Sequence, residues 1–249
     1  MKIFENIYTI NGFPALYFKE LDLIAISDLQ LGEEMYLAEE KGIFVPQIQL
    51  EKEKNLIRKI CEKVKASRIL INGDLKHEFG EASKQEWREV IDFLDLVKRS
   101  FEEIIVVRGN HDNFLINILR KIGLEVFDPF YEENGYLFTH GHKLVKISKN
   151  VHTITIGHEE PSILIKSGFD RAKYKVIIFG KTRDKKKLIC LPAFSFLSTG
   201  TDVNMIEQSD ILSPILKNYI DLNELDVIAL DEELGELYLG KIGDLKEKI

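Results

Sequence analysis

Only two cysteines occur in 249 residues, Cys61 and Cys190, far apart and each in an apolar setting. That spacing offers no disulfide framework, and both read as small buried hydrophobes. No apolar run approaches the roughly 18 residues that a membrane-spanning helix needs. The opening MKIFENIYTI places polar residues where a signal peptide carries its apolar core. A cytoplasmic location is therefore expected. Positive charge is also short: 34 Lys and Arg face 41 Asp and Glu, for a net charge of −7. A broadly basic nucleic-acid surface is disfavoured, although a local basic groove is not. There is no internal repeat, low-complexity tract, linker-like shift or P-loop fingerprint. Nothing in the pattern specifies an oligomeric state.

What remains is an ordinary globular composition, 45% hydrophobic and 30% charged. Three short apolar runs each end on small or polar residues. Leu21–Ile26 ends at Ser27-Asp28, Arg68–Asn72 at Gly73-Asp74, and Ile104–Val107 at Arg108-Gly109-Asn110-His111. Between them Leu56, Ile57, Ile60, Cys61 and Val64 share one helical face, as do Trp87, Val90, Ile91, Leu94 and Val97. The β-α-β-α-β rhythm predicts a parallel sheet with right-handed crossovers. A third helix, with Phe114, Leu115, Ile118, Leu119 and Ile122 on its face, follows. Strand-like runs at Tyr136–Thr139, Thr153–Ile156, Val176–Phe179 and Leu188–Leu191 predict a second sheet, closed by a hairpin over Asp226–Leu230 and Glu236–Leu239. The expected fold is α/β: a four-layer α/β/β/α sandwich of two mixed sheets flanked by helices, in one domain over residues 1–249.

The polar residues of interest fall at the carboxyl ends of these strands, where α/β sheets bind ligands. In order they are Asp28, Asp74, Asn110-His111-Asp112, His140-Gly141-His142 and His158. Four of the six histidines lie in these segments and a fifth, His77, follows Asp74 by three residues, which leaves out only His152. One Asp after a strand is commonly a turn residue, and one His is commonly structural; five such sites in succession are hard to explain that way. Carboxylates, an Asn carbonyl and imidazoles suit a pair of divalent ions of the Mn, Fe, Zn or Ni kind and, less well, Mg.

Asp28-Leu29-Gln30, Gly73-Asp74, Gly109-Asn110-His111-Asp112, Thr139-His140-Gly141-His142 and Gly157-His158-Glu159-Glu160 together resemble the calcineurin-like metallophosphoesterases. The match extends into Gly42–Pro46, Leu75–Phe79, Leu191–Phe194 and Gly200–Asn204, and is similar to the archaeal branch related to DNA-ligase-associated phosphoesterases. The resemblance implies hydrolysis of phosphate mono- or diesters by metal-bound hydroxide, with nucleotide or nucleic-acid diesters favoured and no membrane partner. It implies Asp74 as a bridging ligand, Asn110, His140 and His158 on one ion, and Asp28 with Gln30 on the other. His111 would contact the substrate phosphate and protonate the leaving group, with Asp112 as its orienting partner. His142, His77, Lys76 and Arg108 are further candidates for the cleft, each with a structural alternative.

Two positions depart from the family pattern, which has His where Gln30 and Glu160 stand. Both belong to the same metal position. A Gln carbonyl and a Glu carboxylate would make that side all-oxygen and shift its preference toward Mn or Mg. The expected cofactor is two divalent ions, Mn foremost, with the second site weak or vacant as an alternative. The same substitutions open a different reading: a non-catalytic relative that binds a nucleotide, phosphate or protein partner.

Overall fold

The computed structural model describes residues 1–80, 83–168 and 170–246, and only the backbone of Ser167. Its first sheet follows chain order: β1 (Lys2–Phe4), β2 (Ile7–Ile10), β3 (Phe13–Phe18), β4 (Leu23–Ile26), β5 (Arg68–Asn72), β6 (Glu103–Val107) and β7 (Val126–Phe127). Strands β1 to β4 pair antiparallel and β4 to β7 parallel. The parallel part is the one the hydrophobic rhythm predicts. The antiparallel hairpins before it are an addition, although Asn11-Gly12 carries the signal for one of them. Both residues have positive φ, 45° and 80°, the backbone of the tight turn that matches strand twist.

Helices α1 (Glu33–Lys41) and α2 (Gln49–Lys63) both follow β4, α3 (Lys84–Ser100) follows β5 and α4 (Leu115–Lys121) follows β6. Ser83 caps α3 in a reciprocal capping box with Glu86. Glu86 also accepts the Glu78 amide at 2.7 Å, which ties the loop after β5 to that helix. Phe114 does not join the buried face of α4 as expected. It sits just before the helix at φ 66°, half exposed, because the turn that starts α4 rotates it outward. Trp87 is half-buried at the core rim, with the Lys121 ammonium 4.3 Å from its ring centre.

The second sheet comprises β8 (Tyr131–Glu133), β9 (Tyr136–Phe138), β10 (Thr153–Ile156), β11 (Pro161–Ser167), β12 (Asp170–Lys181), β13 (Lys187–Cys190), β14 (Thr201–Asp202), β15 (Asp226–Asp231) and β16 (Gly235–Lys241). It runs β14-β11-β12-β13-β10-β9-β8, with β15 on β12 and β16 on β15. Short helices α5 (Pro214–Tyr219) and α6 (Ile242–Lys246) cover its outer face. Among the described residues, no helix is long and apolar enough to cross a membrane.

Strand alternation divides the core into layers. Ile24, Ile26, Ile69 and Ile71 face α2 and α3, while Leu23, Ala25 and Leu70 face the second sheet. The inter-sheet layer is completed by Tyr136, Phe138, Ile177, Ile189 and Ile228. This is the expected four-layer α/β arrangement. Both cysteines are free, Cys190 fully buried and Cys61 half-buried. Phe18 sits at the centre of the inter-sheet layer, edge-on to Phe138 and Tyr136 with ring centres 5.0 and 5.8 Å away. Phe18→Ala should cost about 3–5 kcal/mol, read as a lower denaturant midpoint at unchanged slope.

Candidate metal centre

The loops after β4, β5, β6, β9 and β10 converge at one edge of the two sheets. Their backbones are held in an unusual conformation. Asp28, Gln30, Asp74, His158 and Glu160 all have φ between 49° and 64°, the left-handed region that non-glycine residues seldom occupy. Each such residue costs of order 1–3 kcal/mol unless its surroundings enforce it. Here they do. Asp28 N–H donates to the Gly73 carbonyl at 3.1 Å, Gln30 N–H to Asp74 at 2.9 Å and Leu31 N–H to Leu75 at 3.1 Å, lacing the first loop to the second.

The motif glycines have a steric cause. A Cβ on Gly73 would stand 2.3 Å from His140 Nδ1, and one on Gly109 2.0 Å from Asp74 Oδ1. On Gly157 it would stand 1.9 Å from Ser27 Oγ. The three loops approach so closely that no side chain fits between them.

Asp74, His140 and His158 bring one ligand atom each within 4.8 Å of one another. His140 Nε2 lies 3.2 Å from Asp74 Oδ2 and 3.0 Å from Asn110 Oδ1. Its Nδ1 meets the Asn72 carbonyl at 3.0 Å, which fixes the proton there and turns the Nε2 lone pair toward the cluster. Without an ion, burial disfavours an imidazolium at His140. The Asp74 and Asp28 carboxylates outweigh that and raise its pKa to about 10. The site thus recruits positive charge. Burial and the neighbouring His140 charge depress His158 and His142 to about 4, so both are neutral and ready to donate a lone pair. Asp28 is fully buried; its Oδ2 accepts from Ser27 Oγ and the His158 amide, and its Oδ1 accepts no hydrogen bond, with His140 Nε2 3.8 Å away. An orphaned buried carboxylate oxygen costs several kcal/mol unless a cation meets it. The donor set therefore fits a divalent ion.

The position expected for a second ion is built differently. The Gln30 carboxamide turns its nitrogen toward the carboxylates, at 3.2 Å from Asp74 Oδ2 and 3.3 Å from Glu160 Oε1. Its oxygen faces His77 Nδ1 at 3.1 Å. The expected carbonyl donation from Gln30 is thus not the arrangement seen, because the nearest groups are acceptors and attract the amide N–H. Glu160 Oε2 accepts from the Ser198 hydroxyl. Burial raises the Glu160 pKa, and Ser198 partly offsets the rise.

Asp112 does not orient His111. Its carboxylate accepts from the amides of Gly109, Asp74 and Leu75 at 2.8 to 2.9 Å, clamping the β5 and β6 loops together. Burial, then the Asp74 charge, raise its pKa to about 6. His111 is oriented instead by the His77 carbonyl at Nδ1 and by Phe79, whose ring centre lies 3.7 Å away. Its Nε2 stands 3.9 Å from Asp74 Oδ2. Lys76 is fully buried, its ammonium donating to the Glu78 and Gly80 carbonyls, so it shapes the loop that carries His77 and Phe79. Arg108 is tied to Asp128 and Asn113 at 2.8 and 2.7 Å. His142 borders the cluster, with ring centres 5.4 Å from His140 and 6.0 Å from His158, and a buried Nδ1 without a partner.

Gln49 and Ser198 belong to the site without any motif in the chain to mark them. Buried Gln49 donates to the carbonyls of Leu29 and Gln30 and to Glu53, which anchors the first loop to α2.

Residues 21–189, well over half of the chain, match the calcineurin-like phosphoesterase family. The chain belongs to that family. No curated protein matches it by sequence. Among solved structures it is similar to the Pseudomonas putida nuclease MPE, with 13% identity, TM-score 0.63, and 92% of this chain and 93% of that one covered. A second neighbour is YfcE, a phosphoesterase from E. coli, with 17% identity, TM-score 0.43, and 88% and 98% covered. The first likeness supports the sandwich fold. As a calcineurin-like phosphoesterase, the chain is a hydrolase of phosphate esters from a family that binds divalent metal ions, with Asp74, His140 and His158 as its candidate site.

Proposed function

We propose that this chain is a metal-dependent phosphodiesterase acting on nucleotide or nucleic-acid diesters, with Mn as the preferred ion. The observation that carries the reading is the convergence of Asp74, His140 and His158 beside the buried Asp28 Oδ1, which accepts no hydrogen bond. Its Pseudomonas neighbour is a nuclease, which supports a nucleic-acid diester over a small monoester.

Asp74, Asn110, His140 and His158 would hold one ion. Asp28, Asp74 and Glu160 would hold a second, joined by Gln30 once its carboxamide turns over. Ions held there supply Lewis acidity, lowering the pKa of water and taking up charge that develops on phosphoryl oxygens. The protein supplies the rest. His111, its Nδ1 engaged by the His77 carbonyl, keeps Nε2 free to hydrogen-bond a phosphate oxygen or give a proton to the leaving oxygen. Asp112 keeps Asp74 and His111 in fixed relation by clamping both loops.

The test is hydrolysis of bis-p-nitrophenyl phosphate by metal-stripped protein. Turnover should return with Mn and vanish with EDTA; failure with every divalent ion, in folded protein, would reject the proposal. That failure would favour the non-catalytic reading, which the hydrogen-bonded Gln30–Glu160 pair motivates. Calorimetric titration examines the second position. Glu160→Ala should weaken the second Mn by about tenfold or more and leave the first unchanged, on the loss of one charged ligand. Two ions bound with wild-type affinity would remove Glu160 from the metal shell.

A further inference from the structure

Phe79 braces His111, yet 52% of it is exposed, and the chemistry above uses nothing of that open side. Single exposed apolar residues are ordinary on a protein surface. Phe79 differs because a tied backbone holds it against the residue proposed to meet the phosphate. The Lys76 ammonium sits inside the loop after β5 and donates to the Glu78 and Gly80 carbonyls. The Glu78 amide donates to Glu86 Oε1 at 2.7 Å, and the Gly80 amide to Glu78 Oε1 at 3.2 Å. The Phe79 carbonyl accepts from Asn113 Nδ2 at 3.3 Å, which joins this loop to the one after β6. Polar groups on both sides of Phe79 are engaged, so the backbone fixes where the ring stands.

Its neighbours point to a use. The ring centre lies 3.7 Å from that of His111, with 32° between the planes. His77 stands 5.5 Å from His111 at 34°, and Tyr36 stands 4.7 Å from His77 at 54°. Neighbouring rings thus lead from half-buried Tyr36 and His77 through His111 to Phe79, the exposed end. His111 is the member that reaches the metal centre, its Nε2 3.9 Å from Asp74 Oδ2. If that imidazole protonates the leaving oxygen, the group this oxygen carries must pass beside Phe79, which packs on the same ring. The chemistry of a phenyl face narrows what that group is. The face carries partial negative charge, so it does not attract a phosphate. A flat neutral ring suits it, and every nucleobase offers a π-face. An alkyl chain or a bare sugar offers none.

We propose that Phe79 is a stacking platform for the nucleobase on the leaving side of the scissile diester, and so selects nucleotide diesters over alkyl or sugar ones. It moves no proton; it sets specificity through contact with the substrate. The inference rests on the phosphodiesterase reading and names the part of the substrate that this site recognises.

The experiment compares two substrates on full-length protein with Mn: a thymidine dinucleotide, and the same compound without the base on its leaving side, that side being the nucleoside released free of phosphate. Wild-type kcat/KM should favour the base-bearing compound about tenfold or more, the size of one base–aromatic stack. Phe79→Ala also loosens His111 and should slow both substrates, but the base-bearing one about tenfold more, so that the ratio falls toward one. Phe79→Leu keeps apolar bulk against His111 without a π-face, and its ratio should fall likewise. Phe79→Trp should keep the preference. A ring that only braced His111 would cost both substrates alike, so an unchanged ratio in Phe79→Leu overturns the platform. Wild-type protein that cleaves both compounds equally well overturns the platform and leaves the phosphodiesterase reading standing. Binding is read separately by calorimetry, on the same pair with a methylene group in place of the leaving oxygen, which cannot be cleaved there. Wild-type protein that binds the base-bearing analogue about tenfold more tightly, a preference lost in Phe79→Leu, yet cleaves no diester with any divalent ion, overturns the phosphodiesterase reading instead. Protein that shows neither preference nor cleavage overturns both.

Discussion

Asp74→Asn is expected to lower metal-dependent turnover about a thousandfold or more, with the fold intact. Asn has nearly the same volume and can keep the Asp74 Oδ1 contact with the His111 amide at 2.9 Å. It cannot keep the other side. Asp74 Oδ2 lies 3.2 Å from both Gln30 Nε2 and His140 Nε2. An amide NH₂ there would face two nitrogens and an incoming cation. The variant also loses the charge that chiefly counters the burial of His140, so that imidazole's pKa should fall from about 10. Removing about 4 kcal/mol of metal-borne stabilisation corresponds to about a thousandfold in rate. Steady-state kinetics with bis-p-nitrophenyl phosphate, beside thermal unfolding of the metal-free protein, separates chemistry from folding. Activity within tenfold of wild type, at matched metal saturation, would show that Asp74 does not hold an ion.

The framework of this site is legible in the chain because it lies at strand ends. β4, β5 and β6 are apolar runs too short for helices, each stopping where a Gly or a carboxylate must turn toward the sheet edge. Asp28, Asp74, Asn110, His140 and His158 can therefore be placed from the chain alone. The antiparallel hairpins before β4 are harder to read: Asn11-Gly12 marks one turn, but no helix separates these strands and no ligand ends them. What a linear reading misses is the choice of hydrogen-bond partner. Gln30 looks like an oxygen donor until Asp74 and Glu160, 44 and 130 residues away, are seen to draw its nitrogen. Lys76 looks like a loop cation until the Glu78 and Gly80 carbonyls enclose it. Asp112 looks like a partner for its neighbour, yet four backbone amides claim its oxygens. Such choices depend on groups that only the folded loops bring together.

Gly109→Ala should remove metal binding without touching any ligand. Its Cβ would sit 2.0 Å from Asp74 Oδ1 and 2.3 Å from Asp74 N. Neither atom can yield cheaply. The amide donates to Asp112 Oδ2 at 2.8 Å, and the Asp74 carbonyl accepts from Gln30 at 2.9 Å. The strain must pass either into the Asp74 carboxylate, which rotates away from His140, or into the Asp112 clamp, which opens. Overpacking of this kind costs about 1–3 kcal/mol of stability. The larger effect is on the ion, because displacing the central carboxylate by about an ångström takes a ligand from both of the proposed metal positions. Mn affinity should fall about a hundredfold or more by calorimetry, beyond the tenfold-to-hundredfold loss typical of disturbing a group behind a ligand. Gly123→Ala is the control: its φ is +72°, and a Cβ there meets nothing within 4 Å. It should lose about 1–2 kcal/mol from backbone strain alone and bind Mn as wild type does. Were Gly109→Ala to bind Mn like that control, the close approach of the β5 and β6 loops would not be what the ion requires. The glycine of Gly-Asn-His-Asp would then serve the turn rather than the metal.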